Sequence, residues 1–379
     1  MHQFYTNGRI FNGDIIESGK GVEVKDGKVV ALLPEDDRPE QAQIIDLKGA
    51  LLAPGFVDVQ VNGGGGVLFN DTPTPDGIRA MVAAHRQYGT TSLIPTLISD
   101  TWEVMERAAD GVRQGMKEGI PGLRGVHFEG PYLSLERKGI HQESVLRSVD
   151  DGALSLLTSG DMGVVMSTLA PEVAPTEYVR ALSDAGVRVC AGHTAATYDQ
   201  ARAGLDAGIS GFTHLFNAMS PLTSREPGVV GAALEDSESW VGVIADGHHI
   251  HYASLRVAVA AKARGKMMLV TDAMPSVGAE QKDFTLQGVA IKAEGGRCQS
   301  AEGTLAGSDL DMAGAVRNAV DHLRLPLEEA LRMASQYPAA FLGLDDKLGR
   351  IATGYEADFV LLDDSLAVVD TWISGNNIK

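Results

Sequence analysis

The stretch APGFVDVQVNGGGG (residues 53–66) marks the point at which the pattern of the chain changes. Its apolar run, residues 56–61, has the length of one buried strand and ends in a glycine-rich break. Gln60 and Asn62 are two residues apart, so on a strand their side chains point to the same side. The strand therefore ends in a pair of neutral amides, and their partners are the first question that the sequence raises.

Upstream of this stretch, residues 1–52 carry the pattern of an all-β segment. YTNGRIF (5–11) and VEVKDGKVVALL (22–33) place Asn-Gly and Asp-Gly between alternating apolar residues, which predicts hairpins. The C-terminal ADFVLLDDSLAVVDTWISGNNI (357–378) shows the same pattern, with a turn at Gly375 and Asn376. We therefore expect the two chain ends to form one small β domain together.

Downstream of residue 55, short β-rich runs alternate with longer amphipathic patterns. Helices are predicted in stretches such as DGIRAMVAAHRQYG (76–89) and ASLRVAVAAKARG (253–265), several of which end at glycine. The predicted strands are residues 56–61, 92–97, 123–128, 162–168, 187–191, 211–215, 240–245 and 266–270.

Eight βα units in this length predict an α/β protein, a (β/α)8 TIM-like barrel with a small β-sandwich domain built from both chain ends. A doubly wound open sheet is the alternative fold. The predicted boundaries are 1–53 and 345–379 for the β-sandwich and 54–344 for the barrel. The stretch at 282–308 interrupts the βα rhythm, and its alternation around Gly295-Gly296 predicts an inserted hairpin that lies over or beside the barrel mouth.

The predicted strands end in polar residues, as the barrel fold requires of an active site at its carboxyl rim. Chance capping of loops would not place histidines and carboxylates at four separate strand ends. The residues are Gln60, Asn62, Thr96, Glu129, Thr168, His193, His214, Asp246 and Asp272.

Glu129, His193 and His214 follow strands three, five and six, and together they predict a catalytic metal site. One carboxylate and two imidazoles suit a zinc-like divalent ion and leave a fourth position for water. Either histidine alone is more simply a buried hydrogen-bonding residue, but the three together favour the metal. His127 shares a strand face with Glu129. It is the candidate to replace one of these three metal ligands, or else it packs beside them and supports them.

Asp272, in LVTDA, ends the last predicted strand. A carboxylate opposite a metal site can take a proton from water and pass it to a leaving group. The simpler interpretation is that Asp272 caps the following loop, but the predicted metal site opposite it favours a catalytic base.

The bulk composition excludes several function classes. A net charge of −18 repels phosphate, which argues against nucleic acid or an anionic membrane as partners but leaves a small anionic substrate open. Two cysteines make no disulfide framework or CxxC motif. Neither a signal peptide nor an apolar run of about 20 residues is apparent, so we expect a cytoplasmic protein.

Seven strings, taken together, resemble the N-acetylglucosamine-6-phosphate deacetylase family of the amidohydrolase superfamily. Each string alone is weak, but their order and strand positions are specific, and the likeness spans the whole chain, including the GYEADFVLLD ending. In chain order they are PGFVDVQVNGGGG, HFEGPYL, KGIH (138–141), AGHT, THLFNAMSPLTSREPG, ADGHHI and LVTDA.

The resemblance implies a role for each matching residue. Glu129, His193 and His214 match the metal ligands, and Asp272 matches the catalytic base and acid. His141 matches a histidine that binds and polarises the acetyl carbonyl. The positions that match the phosphate-binding residues are Asn217, Ala218, Arg225 and His249.

Arg225 suits a phosphate because a guanidinium pairs with it through charge-assisted hydrogen bonds, although a surface arginine paired with Glu226 is the commoner arrangement. The resemblance also implies a homodimer whose phosphate pocket is completed across the interface.

The amides at the end of the first strand depart from the superfamily pattern. Many amidohydrolases carry His-x-His there, which helps to hold a second metal. Gln60 and Asn62 occupy these slots, and an amide is a poor substitute for imidazole. We therefore expect one divalent metal ion per subunit, first Zn²⁺ with Fe²⁺, Co²⁺ or Mn²⁺ as alternatives, and Gln60 and Asn62 hydrogen-bonded to water or substrate.

The expected reaction is hydrolysis of N-acetyl-D-glucosamine 6-phosphate to D-glucosamine 6-phosphate and acetate. One alternative is an amidohydrolase acting on a different N-acyl or cyclic amide, such as N-acetylgalactosamine 6-phosphate. Another is a sugar-phosphate-binding protein without catalysis, against which the complete set of ligands and base argues.

Overall fold

The structure is a computed structural model and describes residues 1–377 of the chain. The N-terminal segment contains seven short strands and one 3-10 turn, Glu35–Asp37. The strands are β1 (His2–Thr6), β2 (Arg9–Phe11), β3 (Ile16–Ser18), β4 (Lys20–Lys25), β5 (Lys28–Pro34), β6 (Gln43–Asp46) and β7 (Leu51–Pro54).

The central segment alternates strands with helices, as the sequence predicts. Its elements are β8 (Phe56–Val61), β9 (Gly63–Gly64), β10 (Val67–Leu68), α1 (Pro75–Arg86), β11 (Thr90–Ile98), α2 (Trp102–Glu118), β12 (Gly125–Glu129), α3 (Asp151–Leu157), β13 (Val164–Leu169), α4 (Thr176–Asp184), β14 (Arg188–Ala191), α5 (Tyr198–Ala207), β15 (Gly211–Phe212), α6 (Gly228–Glu235), β16 (Trp240–Val243), α7 (Tyr252–Ala261) and β17 (Met267–Leu269). Two 3-10 turns, Leu135–Arg137 and Glu143–Val145, follow β12.

The last segment begins with four strands, continues with three helices and returns to strands. Its elements are β18 (Phe284–Leu286), β19 (Val289–Glu294), β20 (Arg297–Ser300), β21 (Leu305–Ser308), α8 (Met312–Asp321), α9 (Leu327–Ala334), α10 (Gln336–Leu342), β22 (Phe359–Leu362), β23 (Val368–Ile373) and β24 (Asn376–Asn377).

The eight central strands form one parallel sheet in the order β8-β11-β12-β13-β14-β15-β16-β17. The two edges of this sheet meet, because Val61 pairs with Ala273 and the Asp272 backbone N–H donates to the Gln60 carbonyl oxygen at 2.9 Å. The barrel prediction is therefore confirmed, and the open-sheet alternative is excluded.

Local sequence explains why the helices begin and end where they do. Thr74 caps α1 by accepting from the Gly77 backbone N–H, and Pro75 occupies the first helical turn. Thr197 and Gln200 form a capping box at the start of α5, and Gly208 ends that helix with a φ of 117°. These caps fix where α1 and α5 begin, and Gly208 fixes where α5 ends.

The two chain ends share a β-sandwich, as predicted. One sheet has the order β5-β4-β1-β6 and the other the order β24-β23-β22-β7-β2-β3, in which β22 from the C-terminal part pairs with β7. Between the sheets, Tyr5 packs edge-to-face on Phe359 and Trp372, with ring centroids 5.3 Å apart in both pairs. The domain boundaries remain a prediction, and the last two residues of the predicted 345–379 segment lie outside the described residues.

One predicted hairpin is wrong. Asn7-Gly8 does not join two paired strands, because β1 pairs with β4 and β6 while β2 pairs with β3 and β7. The turn, with Asn7 at a φ of 61°, instead carries the chain from one sheet to the other. Asp26-Gly27 does join β4 to β5, with positive φ at both residues, as its sequence predicts.

The insertion at 282–308 is a four-stranded antiparallel sheet, β18-β19-β20-β21, rather than a single hairpin. Gly295-Gly296 forms the turn between β19 and β20. Leu286, Ile291 and Cys298 pack in a small separate core with Met274 and Ile98, which joins the insertion to the barrel rim. Within residues 1–377, no helix is long and apolar enough to cross a membrane.

Candidate active site

A cavity of about 390 Å³ opens at the carboxyl ends of the barrel strands. Its wall includes nine of the eleven site residues that the sequence predicts, and Gln60 and Arg225 are the two that do not line it. The nine are Asn62, Glu129, His141, His193, His214, Asn217, Ala218, His249 and Asp272.

Glu129, His193 and His214 converge on one point inside this cavity. Glu129 Oε1 lies 3.1 Å from His193 Nε2 and 2.9 Å from His214 Nε2, and the two nitrogens are 3.0 Å apart. All three side chains are buried. They form the group of ionisable side chains within residues 1–377 whose ligand atoms are close enough to hold one metal ion.

The hydrogen-bond partners of His193 indicate that this cluster suits a cation. His193 Nδ1 lies 3.0 Å from the Arg137 carbonyl oxygen, which can only accept, so the neutral ring carries its proton there. The lone pair on Nε2 then faces the Glu129 carboxylate and the His214 ring. Electron pairs that converge at 3 Å repel one another unless a positive charge, either a proton or a metal ion, lies between them.

Glu129 also has the charge state of a metal ligand. Burial by itself would raise its pKa, but hydrogen bonds and charge interactions with His193 and His214 hold the pKa of Glu129 well below its usual range. The carboxylate is therefore ionised at neutral pH. A carboxylate with two imidazoles is a donor set typical of catalytic Zn²⁺.

The chain leaves its strands in an unusual conformation at three site residues. His193, His214 and Asp272 have φ values of 48°, 34° and 52°, in the left-handed region that non-glycine residues rarely adopt. Each such residue costs on the order of 1 kcal/mol. At each position, the turn ends the strand and directs the side chain into the cavity.

The two amides of the first strand lie between the carboxylates. Asn62 Nδ2 donates to Asp272 Oδ1 at 2.6 Å, and Gln60 Nε2 donates to the same oxygen at 3.1 Å. Gln60 Nε2 also lies 3.3 Å from Glu129 Oε2. The amides, expected to bind water or substrate, thus hold Asp272 and Glu129 near each other, while Asn62 Oδ1 has no partner among the described residues.

Asp272 has the electrostatics of a general base that works near neutral pH. Burial, followed by the nearby Glu129 charge, raises the pKa of Asp272 to about 6, while the Asn62 amide acts in the opposite direction. A raised pKa brings a carboxylate closer to the pH at which it must both take and return a proton. This environment favours the catalytic reading of Asp272 over a loop cap.

The pH profile of kcat/KM tests this environment. The base must be ionised, so activity is expected above the pKa of Asp272 and should fall about tenfold per unit below it. The acid limb should lie at or below about pH 6, because a nearby cation favours the ionised form. Asn62→Ala removes a donor to the carboxylate and should move the limb to higher pH. An acid limb that does not move in this variant would contradict the assignment.

The predicted phosphate-binding residues divide into two groups. Asn217, Ala218 and His249 line the cavity, and His249 Nδ1 pairs with Asp246 Oδ2 at 2.6 Å. Arg225 is exposed, on the loop between β15 and α6, and does not contribute to the cavity wall of its own chain.

His127 lies beside the metal cluster but is not part of it. Its Nδ1 is 3.1 Å from Thr96 Oγ1, and its Nε2 is 2.7 Å from Thr168 Oγ1. Burial lowers the pKa of His127 to about 4, so the ring is neutral. Both ring nitrogens are engaged, which supports the reading of His127 as a residue that stabilises the barrel interior.

Several residues of the cavity wall were not predicted from the sequence. Arg137 lies one residue before the KGIH string, and its carbonyl accepts from His193. Leu286, Thr304, Leu305 and Gly307 come from the inserted sheet. Proximity to a recognised string could have signalled Arg137. The prediction of a hairpin over or beside the barrel mouth did not identify which residues of the insertion line the cavity.

Comparisons with known proteins find a matching family model and similar sequences over nearly the whole chain. Residues 51–378 match the model of the Amidohydrolase family. The chain is 42% identical to an N-acetylgalactosamine-6-phosphate deacetylase of a Shewanella species, covering 93% of this chain and 90% of the relative. It is 36% identical to the N-acetylglucosamine-6-phosphate deacetylase of Haemophilus influenzae, covering 97% and 93%.

A solved structure extends the likeness to three dimensions. The N-acetylglucosamine-6-phosphate deacetylase of Pasteurella multocida superposes with a TM-score of 0.97 at 36% identity, and the match covers 100% of both chains. The whole chain, including the sandwich and the inserted sheet, therefore has a counterpart in that protein.

Proposed function

We propose, from the premise that this chain belongs to the amidohydrolase family, that it hydrolyses N-acetyl-D-glucosamine 6-phosphate to D-glucosamine 6-phosphate and acetate. The observation that carries the proposal is the ionised Glu129, whose Oε1 lies within 3.1 Å of Nε2 of both His193 and His214, with the raised-pKa carboxyl of Asp272 on the same cavity. The relatives that match over nearly the whole chain are deacetylases of hexosamine phosphates.

Glu129, His193 and His214 are proposed to hold one divalent ion per chain, first Zn²⁺, with Fe²⁺, Co²⁺ and Mn²⁺ as alternatives. Such an ion supplies Lewis-acid chemistry, since it polarises an acyl carbonyl and lowers the pKa of water. The absence of imidazole at Gln60 and Asn62 supports a single ion.

The protein side chains supply the proton transfers. Asp272 accepts a proton from the attacking water as its oxygen bonds to the acyl carbon, and His141 donates a hydrogen bond to the acyl oxygen as negative charge develops there. Asp272 then gives the proton to the nitrogen as the C–N bond breaks. The products are acetate and the free amine.

The phosphate of the substrate is assigned to Asn217, Ala218 and His249 of the same chain and to Arg225. Because Arg225 is exposed and outside the cavity wall of its own chain, we include a homodimer in the proposal, in which Arg225 of a second copy completes the pocket. A charged sugar phosphate does not cross a bilayer unaided, which supports a cytoplasmic reaction. Sedimentation of the purified protein measures the oligomeric state.

The decisive assay compares release of free amine from three sugars by the zinc-loaded protein. N-acetylglucosamine 6-phosphate, its unphosphorylated form and N-acetylgalactosamine 6-phosphate are given at equal concentrations. The highest kcat/KM on the first sugar supports the proposal. A preference for the galacto epimer would move the assignment to that substrate, and activity on none would refute deacetylation of hexosamine phosphates.

Arg225→Ala is expected to raise KM for the phosphorylated sugar about 10- to 100-fold, because hydrogen bonds to charged groups contribute about 1.5–3 kcal/mol. The kcat/KM for the unphosphorylated sugar should stay unchanged. Arg107→Ala, a matched change of an exposed arginine on the outer helix α2, should alter neither value. An equal loss on both sugars would show that Arg225 does not act through the phosphate.

A further inference from the structure

Ser99 contacts the ring of His141 in a way that fixes which nitrogen carries the proton. Ser99 follows strand β11, and both residues are 2% exposed. The Ser99 backbone N–H donates to His141 Nδ1 at 3.3 Å, and Ser99 Oγ lies 2.8 Å from the same nitrogen. Both groups belong to Ser99, which is 42 residues away from His141 in the chain, so the contact is a feature of the fold.

A backbone N–H can only donate, so Nδ1 must accept and cannot carry a proton. In the neutral ring, the proton is then on Nε2. If Nδ1 carried the proton, the N–H of the ring would point at the Ser99 backbone N–H. The Ser99 hydroxyl would then donate to the Glu129 carbonyl oxygen at 3.4 Å, a longer distance than the 2.8 Å to His141 Nδ1. The first arrangement satisfies both Ser99 donors at His141.

We propose that Ser99 is a positioning residue that holds His141 as the Nε2–H tautomer, so that the ring presents a hydrogen-bond donor to the acyl oxygen of the substrate. The role of the hydroxyl is to orient the ring, while the backbone N–H reinforces the choice of tautomer. This inference rests on the proposed deacetylase function, because only a reaction that develops charge on an oxygen needs this donor.

The surroundings of Ser99 show that the contact leaves little freedom. Gly130 approaches so closely that a Cβ at that position would lie 2.1 Å from Ser99 Oγ. The Ser99 carbonyl oxygen accepts from Gln287 Nε2 at 2.7 Å, which ties the same residue to the inserted sheet. The hydroxyl is therefore held between the strand end, the His141 loop and the insertion.

The first test reads the tautomer without any substrate. Long-range ¹H–¹⁵N correlation of the zinc-loaded protein, labelled with ¹⁵N-histidine, separates protonated from unprotonated ring nitrogens. The signal that disappears in His141→Gln identifies this ring. An unprotonated Nδ1 supports the proposal, and a protonated Nδ1 overturns it, whatever the activity of the enzyme.

The second test separates orientation from general damage. Ser99→Ala is expected to lower kcat about tenfold while KM stays within about twofold, since one hydrogen bond that orients a donor is lost. Ser99→Thr keeps the hydroxyl and should retain most of kcat. The matched control is Ser167→Ala, because Ser167 is also buried and its hydroxyl has no partner among the described residues.

An unchanged kcat in Ser99→Ala would overturn the role of the hydroxyl, as would an equal loss in Ser167→Ala. If the wild-type protein released no amine from any hexosamine phosphate, the proposed function would fail while the tautomer could still be measured. The two failures are therefore distinguishable.

Discussion

Replacement of Asp272 by asparagine is expected to lower kcat about 10³- to 10⁴-fold, because the amide cannot take a proton from water or return it to the leaving amine. Asparagine matches aspartate in size, and its oxygen can still accept from the Asn62 and Gln60 amides. The variant should therefore fold and bind substrate. Its zinc content should equal that of the wild type, because Asp272 is not one of the three converging ligands.

Three measurements on the Asp272→Asn protein test this expectation: steady-state kinetics, zinc content and affinity for the substrate. Asp76→Asn is the matched control, since Asp76 is 96% exposed at the start of helix α1. Activity near that of the wild type would remove Asp272 from the mechanism. A loss of zinc along with activity would instead mean that its role is to hold the metal.

The position of the catalytic rim could be predicted from sequence because parallel strands of a barrel end on the same side. The polar residues at the carboxyl ends of β12, β14 and β15 therefore had to meet, and Glu129, His193 and His214 do. Strand ends were less well predicted. The expected strand at 211–215 ends at Phe212, because His214 takes a positive φ that directs its ring into the cavity.

Contacts between residues far apart in the chain could not be predicted from local pattern. The Asn62–Asp272 hydrogen bond joins residues 210 positions apart, and it exists only because the first and last strands close the barrel. The same holds for Ser99 and His141. The Asn7-Gly8 pattern also predicted a hairpin that does not form, because a tight turn can connect two sheets as well as two paired strands.

Replacement of Glu129 by glutamine is expected to abolish zinc binding at micromolar free zinc and to reduce activity to background, a loss of about 10⁴-fold or more. The substitution keeps the shape of the side chain but removes the negative charge that the two histidines stabilise. Two neutral imidazoles and an amide oxygen are a weak donor set for this ion. Zinc content per chain, measured by mass spectrometry after dialysis, gives the first result.

Thermal unfolding gives a second result that does not depend on catalysis. An ion that binds only the folded protein stabilises it by about 4 kcal/mol at a thousandfold excess over its Kd. In the wild type, chelation removes this stabilisation and should lower Tm by several degrees. In Glu129→Gln, the chelator should leave Tm unchanged.

Glu136→Gln is the matched control for this prediction, because Glu136 lines the same cavity but is 72% exposed and lies outside the converging ligands. It should bind one zinc ion and respond to chelation as the wild type does. Zinc retained by Glu129→Gln would remove this carboxylate from the metal site. Two tightly held ions per wild-type chain would contradict the single site, because the described end of strand β8 offers the amides of Gln60 and Asn62, which are poor substitutes for imidazole ligands.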